Sequence, residues 1–138
     1  MPSELHHQRV IVKDVMFGPT TAFAMKTSHR FFSGFPDLLI KIPEFEPCYV
    51  EVKKGVVSKG FVNIGTTILQ RKFLQRLKNS GMKVCVWVVI EDGKDCYILM
   101  VPPECTKVMI NNIKSLPKRS PGSPWPIKDM ILNYDWEK

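Results

Sequence analysis

Residues 33–54 read SGFPDLLIKIPEFEPCYVEVKK, and this stretch predicts two neighbouring strands joined by a turn bounded by prolines. Pro36-Asp37 opens the aliphatic run Leu38-Leu39-Ile40, short enough to be a buried central strand. Pro43-Glu44-Phe45-Glu46-Pro47 carries a breaker at each end, so the chain can fold back there, and Cys48-Tyr49-Val50-Glu51-Val52-Lys53 follows as the second strand. Side chains alternate along a strand, which sets Glu51 and Lys53 on one face and Val50 and Val52 on the other. Two charged groups therefore fall on a face that ought to be core. Folded as a hairpin, the two strands let Asp37 and Glu51 converge on one cation. A hard ion such as Mg²⁺ takes oxygen ligands, usually with only one or two protein carboxylates, so this pair and a strand carbonyl would suffice. Lys53 would then lie beside the metal, where an ammonium orients a water or neutralises charge developing on a phosphate.

Pro36, Asp37, Glu51, Val52 and Lys53 together resemble the motif of the PD-(D/E)XK nuclease superfamily. Within it, Gly34-Phe35-Pro36-Asp37 and the later Gln70 look most like the VRR-NUC group and the related Holliday-junction resolvases, over roughly residues 33–90. The resemblance implies a restriction-endonuclease-like core, with Asp37 and Glu51 holding Mg²⁺ (or Mn²⁺ in its place) and the Val52 carbonyl as a further ligand. It also implies that Lys53 assists the attacking water and that Gln70 serves the active site. An upstream helical glutamate often completes the metal site in that family, and Glu4 is the residue carried over to this role, on spacing without a surrounding motif. The implied activity is metal-dependent endonucleolytic hydrolysis of DNA, selective for branched or duplex structures.

Charge placement agrees with a phosphate-bearing partner. The 138 residues carry a net charge of +7, and from Val52 through Ile90 there is no Asp or Glu. Lys53, Lys54, Lys59, Arg71, Lys72, Arg76, Lys78 and Lys83 all fall in that interval, the footprint expected beside a nucleic-acid backbone. Lys54, Lys59, Arg71, Lys72 and Arg76 are the candidate DNA-binding residues, with Arg30, Lys26 and His29 ahead of Asp37 as further ones. The rival reading is a catalytically silent nucleic-acid-binding module that uses Asp37 and Glu51 only as structural charges.

Length sets one α/β domain, a mixed central β-sheet flanked by helices, with its core at about 33–101 and a C-terminal helix and arm over 104–138. Hydrophobic content of 44% and charged content of 24% are ordinary for a globular protein. No apolar run approaches a membrane span, and the N-terminus lacks a signal-peptide pattern, so a cytoplasmic protein without membrane partners is expected. Cys48, Cys85, Cys96 and Cys105 show no paired spacing and read as reduced core residues.

Along the rest of the chain, Ser3 and Glu4 suggest a capped helix with Val12, Val15 and Met16 on one face, although Val10-Ile11-Val12 also suits a strand. His6 and His7 read as surface or partly buried imidazoles. Ala22–Met25 reads as an edge strand and 55–65 as a long loop. Thr66 or Thr67 caps the best helix, 68–79, whose core side Gln70 shares with Phe73, Leu74 and Leu77, so that Gln70 must find partners near Glu51 and Lys53. Lys83–Ile90 reads as a buried parallel strand that turns at Glu91-Asp92-Gly93-Lys94 into Cys96–Val101. Residues 104–116 read as a helix with Val108, Met109 and Ile113 inward, and 117–126 as a linker or wrapping arm. Residues 127–136 are apolar enough to pack on their own sheet or on a second subunit. Cutting two strands, or two arms of a junction, needs two sites at a fixed separation, so a homodimer is expected. Its candidate surfaces are the N-terminal segment with Val10, Val12 and Met16 and the C-terminal arm with Trp125, Tyr134 and Trp136.

Overall fold

A computed structural model of the chain describes residues 2–27 and 34–137. The elements run α1 (Glu4–Met16), β1 (Phe23–Lys26), β2 (Leu38–Lys41), β3 (Cys48–Gly55), β4 (Val57–Ser58), β5 (Phe61–Asn63) and α2 (Ile68–Asn79). There follow β6 (Lys83–Asp92), β7 (Asp95–Val101), β8 (Lys107–Met109), a 3-10 turn (Ile113–Ser115), β9 (Lys118–Arg119) and α3 (Ile127–Asn133). The hairpin read from residues 36–53 sits inside a six-stranded sheet of order β1-β2-β3-β6-β7-β9. β2 and β3 pair antiparallel, β3 and β6 parallel, and β6 and β7 antiparallel. The fold is thus α/β with a mixed sheet. No helix among the described residues is long and apolar enough to cross a membrane.

Alternation along β3 supplies two cores, one on each face. Val50 and Val52 join Ile11, Val15, Trp87, Trp125 and Ile131 beneath α1 and α3. Leu74 of α2 packs on the opposite face with Val84, Val86, Val88 and Val62. β6 feeds both faces and is buried continuously from Val84 to Ile90, as a central parallel strand must be.

Residues 4–16 are helix rather than strand. The Ser3 side chain accepts the His6 N–H at 3.1 Å, satisfying one of the unpaired amides at the helix start. The inward stripe is His7, Ile11 and Val15, spaced four apart, so the expected face is turned slightly: Val15 is buried but Met16 is 44% exposed.

Three other expectations are corrected. The long loop at 55–65 contains β4 and β5, which form a second, three-stranded sheet with β8. The helix expected over 104–116 is absent, replaced by β8 and the 3-10 turn. Its misread signal is the period: half-buried Val108 stands between exposed Lys107 and Met109, an alternation of two that acquires a partner because Phe61 lies opposite Met109. Glu91 and Asp92 belong to β6, so the turn into β7 is only Gly93-Lys94.

The arm at 117–126 adds β9 to the sheet edge. Asp14 holds this arm by accepting from the Arg119 Nε–H at 2.8 Å and the Trp125 N–H at 3.0 Å. α3 then buries Ile127, Met130 and Ile131 against the chain's own sheet. Cys48 and Cys85 are buried and all four cysteines are unpaired.

Candidate active site

β2 and β3 stay paired only as far as Leu38 opposite Val50, while β3 continues to Gly55. Among the described residues, no strand pairs beyond Val50 with the edge of β3 that faced β2. Two carboxylates occupy it instead. Asp37 Oδ2 accepts the Val52 N–H at 2.9 Å, and Glu4 Oε2 accepts the Lys54 N–H at 3.1 Å. The N–H and C=O of one extended residue leave on the same edge of a strand, so the Val52 carbonyl emerges between these two anchored carboxylates. Glu4 therefore comes to this edge from α1, fifty residues away in sequence.

Glu51 and Lys53 project on the α2 face, and both are buried, at 2% and 9% exposure. Lys53 Nζ lies 3.4 Å from Glu51 Oε2. The same oxygen accepts from Gln70 Nε2 at 3.2 Å. Gln70 is itself fixed by a reciprocal cap at the start of α2: its Oε1 accepts the Thr67 N–H at 2.9 Å, and its own N–H donates to Thr67 Oγ1 at 3.1 Å. Helix capping thus aims the Gln70 amide at Glu51. Gly34 packs against the same turn, so near that an added Cβ would lie 3.2 Å from Gln70 Cα.

Among the described residues, Glu51 Oε1 is buried and has no hydrogen-bond partner. Burial and the neighbouring Asp37 charge push the Glu51 carboxyl up to about 8, outweighing the pull of Lys53. Burial likewise raises Asp37, and the Glu4 charge adds to the rise, against the Val52 amide and the Lys53 charge, which lower it. A buried carboxyl and a half-buried one held side by side relieve their repulsion through a shared proton or a cation. Hard oxygen donors, a carbonyl on the free edge and an unpartnered buried oxygen suit a hard divalent ion. Among the described residues no three His, Cys, Asp or Glu side chains already form a metal-binding group. The donors present are a carboxylate pair with Glu4 engaged on the adjacent amide.

The basic residues divide. Lys72 and Arg76 are exposed on α2, one turn apart. Arg71 instead turns back on the helix start, where Nη1 donates to the Thr66 carbonyl at 2.5 Å. Lys59, with φ of +52°, is exposed at the β4–β5 turn. Lys54 alternates with Lys53 and so leaves on the α1 face, away from Glu51. Arg30 and His29 lie outside the described residues.

One buried polar pair beside this site escapes the sequence reading. His7, 5% exposed, and Glu91 meet at 2.8 Å, where the sequence suggests a surface or partly buried imidazole and a glutamate in a turn. The signal that marks the pair is His7 standing four residues before Ile11 and eight before Val15, on the inward stripe. Compared with known proteins, the chain matches no family model, and no curated protein matches it in sequence.

Proposed function

We propose that the protein is a metal-dependent DNA endonuclease whose reacting centre is the carboxylate pair Asp37 and Glu51 with Lys53 and Gln70. The observation that carries this reading is the buried Glu51 Oε1, without a hydrogen-bond partner among the described residues, beside the half-buried carboxyl of Asp37 where β2 departs from β3. Such an arrangement is costly to a fold, because burying a carboxylate oxygen without a partner is unfavourable. A cation that the protein takes up during its work explains why it is kept. Mg²⁺, or Mn²⁺ in its place, would be held by Asp37, Glu51 and the Val52 carbonyl with Glu4 as a further carboxylate, and would polarise the phosphate and acidify a bound water.

The chain's own groups have definite tasks in this reading. Asp37 is held by the Val52 amide and Glu51 by Gln70, so neither needs to reorganise during reaction. Lys53 holds the attacking water and meets the negative charge that grows on the phosphoryl oxygens as the water oxygen bonds to phosphorus and the sugar oxygen leaves. Lys72 and Arg76 bind backbone phosphates beyond the scissile one.

Branched or duplex DNA is the proposed substrate, cut by a homodimer that sets two sites at a fixed separation. The apolar residues expected to form dimer surfaces are largely spent within one chain: Trp125 is 5% exposed, and Val10, Val12, Tyr134 and Trp136 pack against the same core. Sedimentation at micromolar concentration tests the pairing separately from the chemistry.

Incubation of supercoiled plasmid, four-way junction and single strand with the protein in Mg²⁺, Mn²⁺, Ca²⁺ or EDTA tests the activity. Cleavage is expected in Mg²⁺ and Mn²⁺ only, and Asp37→Ala, Glu51→Ala and Lys53→Ala are each expected to lose at least about a hundredfold in rate while retaining DNA binding. Binding without cleavage under every metal condition gives the silent module instead. Full activity in any two of the three variants removes the site assignment.

A further inference from the structure

We propose that His7 and Glu91 form a strut that positions Glu4 on the open edge of β3. The strut depends on the catalytic reading above only for its effect on turnover.

The pair joins elements remote in sequence. His7 Nε2 and Glu91 Oε1 lie 2.8 Å apart across an interval of 84 residues, with side-chain exposures of 6% and 19%. His7 stands on α1, three residues after Glu4, so the two side chains share one side of the helix. Glu91 stands near the end of β6, one residue past Ile90, which is opposite Gly55 in the parallel ladder. The strut therefore fixes the first turn of α1 against the end of the β3–β6 pair. Lys54, whose amide is held by Glu4 Oε2, immediately precedes Gly55. Ile11 and Val15 seat the later turns of the helix by apolar packing, but the first turn lacks that means: Leu5 is 41% exposed and His6 is exposed.

The chemistry suits a fixed support. Burial lowers the His7 pKa, so the imidazole is neutral near pH 7 and its Nε2–H donates to the Glu91 carboxylate. One directional bond, protected from water, locates the turn more narrowly than apolar packing does, since a hydrogen bond weakens steeply with misalignment. Glu4 is a flexible side chain whose carboxylate must meet one particular amide. Without the strut, the first turn can fray from the sheet and carry Glu4 away from Lys54.

Amide hydrogen exchange of the full chain, read by NMR in metal-free buffer, tests this without reference to cleavage. In His7→Ala the Lys54 amide is expected to exchange about tenfold faster, the loss of one ordinary hydrogen bond, while Val52 and Val88 keep their protection. His7→Gln, whose amide nitrogen reaches the position of Nε2, is expected to restore it. Glu91→Ala should reproduce the His7→Ala pattern and carries the measurement if His7→Ala does not fold; Glu91→Gln should retain protection through its carbonyl oxygen. Where cleavage is present, kcat should fall in the two Ala variants with KM for DNA unchanged. Wild-type exchange at Lys54 in folded His7→Ala or Glu91→Ala overturns the strut, and so does uniform loss of protection that His7→Gln fails to restore. Absence of cleavage by the wild-type protein removes the nuclease reading and leaves the exchange result to decide the strut alone.

Discussion

Glu51→Gln in the metal-free protein is the perturbation that most directly interrogates the carboxylate pair. The Glu51 pKa rises from 4.5 to about 8 on folding. The folded chain therefore binds a proton that the unfolded chain releases between these two values, so this group stabilises the fold fully below the lower one. The contribution is lost as pH rises through about 8. Linkage over that interval gives a loss of about 4 kcal/mol between roughly pH 5 and pH 9, with about a third of it above pH 7. Glutamine has the shape of the protonated acid and carries no charge at any pH, so the variant should lose this slope. Urea unfolding in EDTA at several pH values measures it, as the difference between wild type and variant, which cancels the opposite-signed contribution of His7. Because Asp37 and Glu51 titrate together, the slope belongs to the pair. Addition of Mg²⁺ should restore stability to the wild type at high pH and do little for the variant. Parallel pH profiles for the two proteins would refute the buried-pair electrostatics on which the cation argument stands.

The helix charges separate into two kinds. Lys72→Ala with Arg76→Ala should weaken DNA binding and make log K less steep in log salt, by about 0.9 for each duplex phosphate that is no longer neutralised. Arg71→Ala should instead cost about 1 kcal/mol of stability through the missing bond to the Thr66 carbonyl, measured by urea unfolding. Gly34 has φ of +93° and faces Gln70 Cα, so Gly34→Ala should cost roughly 1–3 kcal/mol and reduce turnover more than DNA affinity, because it pushes on the turn that aims the Gln70 amide.

The hairpin and the charged face of β3 are legible in the sequence because both rest on local chemistry: proline breakers, a run of aliphatics and strict alternation. Gln70 is legible for the related reason that a glutamine in step with Phe73, Leu74 and Leu77 faces inward and must bond to something there. Residues 104–116 mislead because Val108, Met109 and Ile113 can be placed on one helical face, and nothing within the segment reveals that β5 waits to pair with it. Lys54 can be placed correctly from alternation, which sets it opposite Lys53, but a count of basic residues ignores the face from which each one leaves. Arg71 differs again: its guanidinium donates to the Thr66 carbonyl just before the helix start, a local contact that a count of charges does not show.

Glu4 shows where sequence reading stops and what the fold adds. Nothing around it marks a ligand, and its distance in sequence from Asp37 is compatible with many placements. The deciding feature is that β2 ends its pairing at Val50 while β3 runs on, since an open strand edge exposes amides at Val52 and Lys54 that demand acceptors. Water could satisfy them at an ordinary surface. Here a carboxylate from each flanking element does so, and the carbonyl between the two amides is presented with negative charge on either side. A strand that separates from its neighbour thus creates hydrogen-bond requirements whose simplest side-chain solution gathers oxygen donors. The gathering of oxygen donors at this edge follows from how β2 and β3 part, before any special arrangement of ligands is invoked.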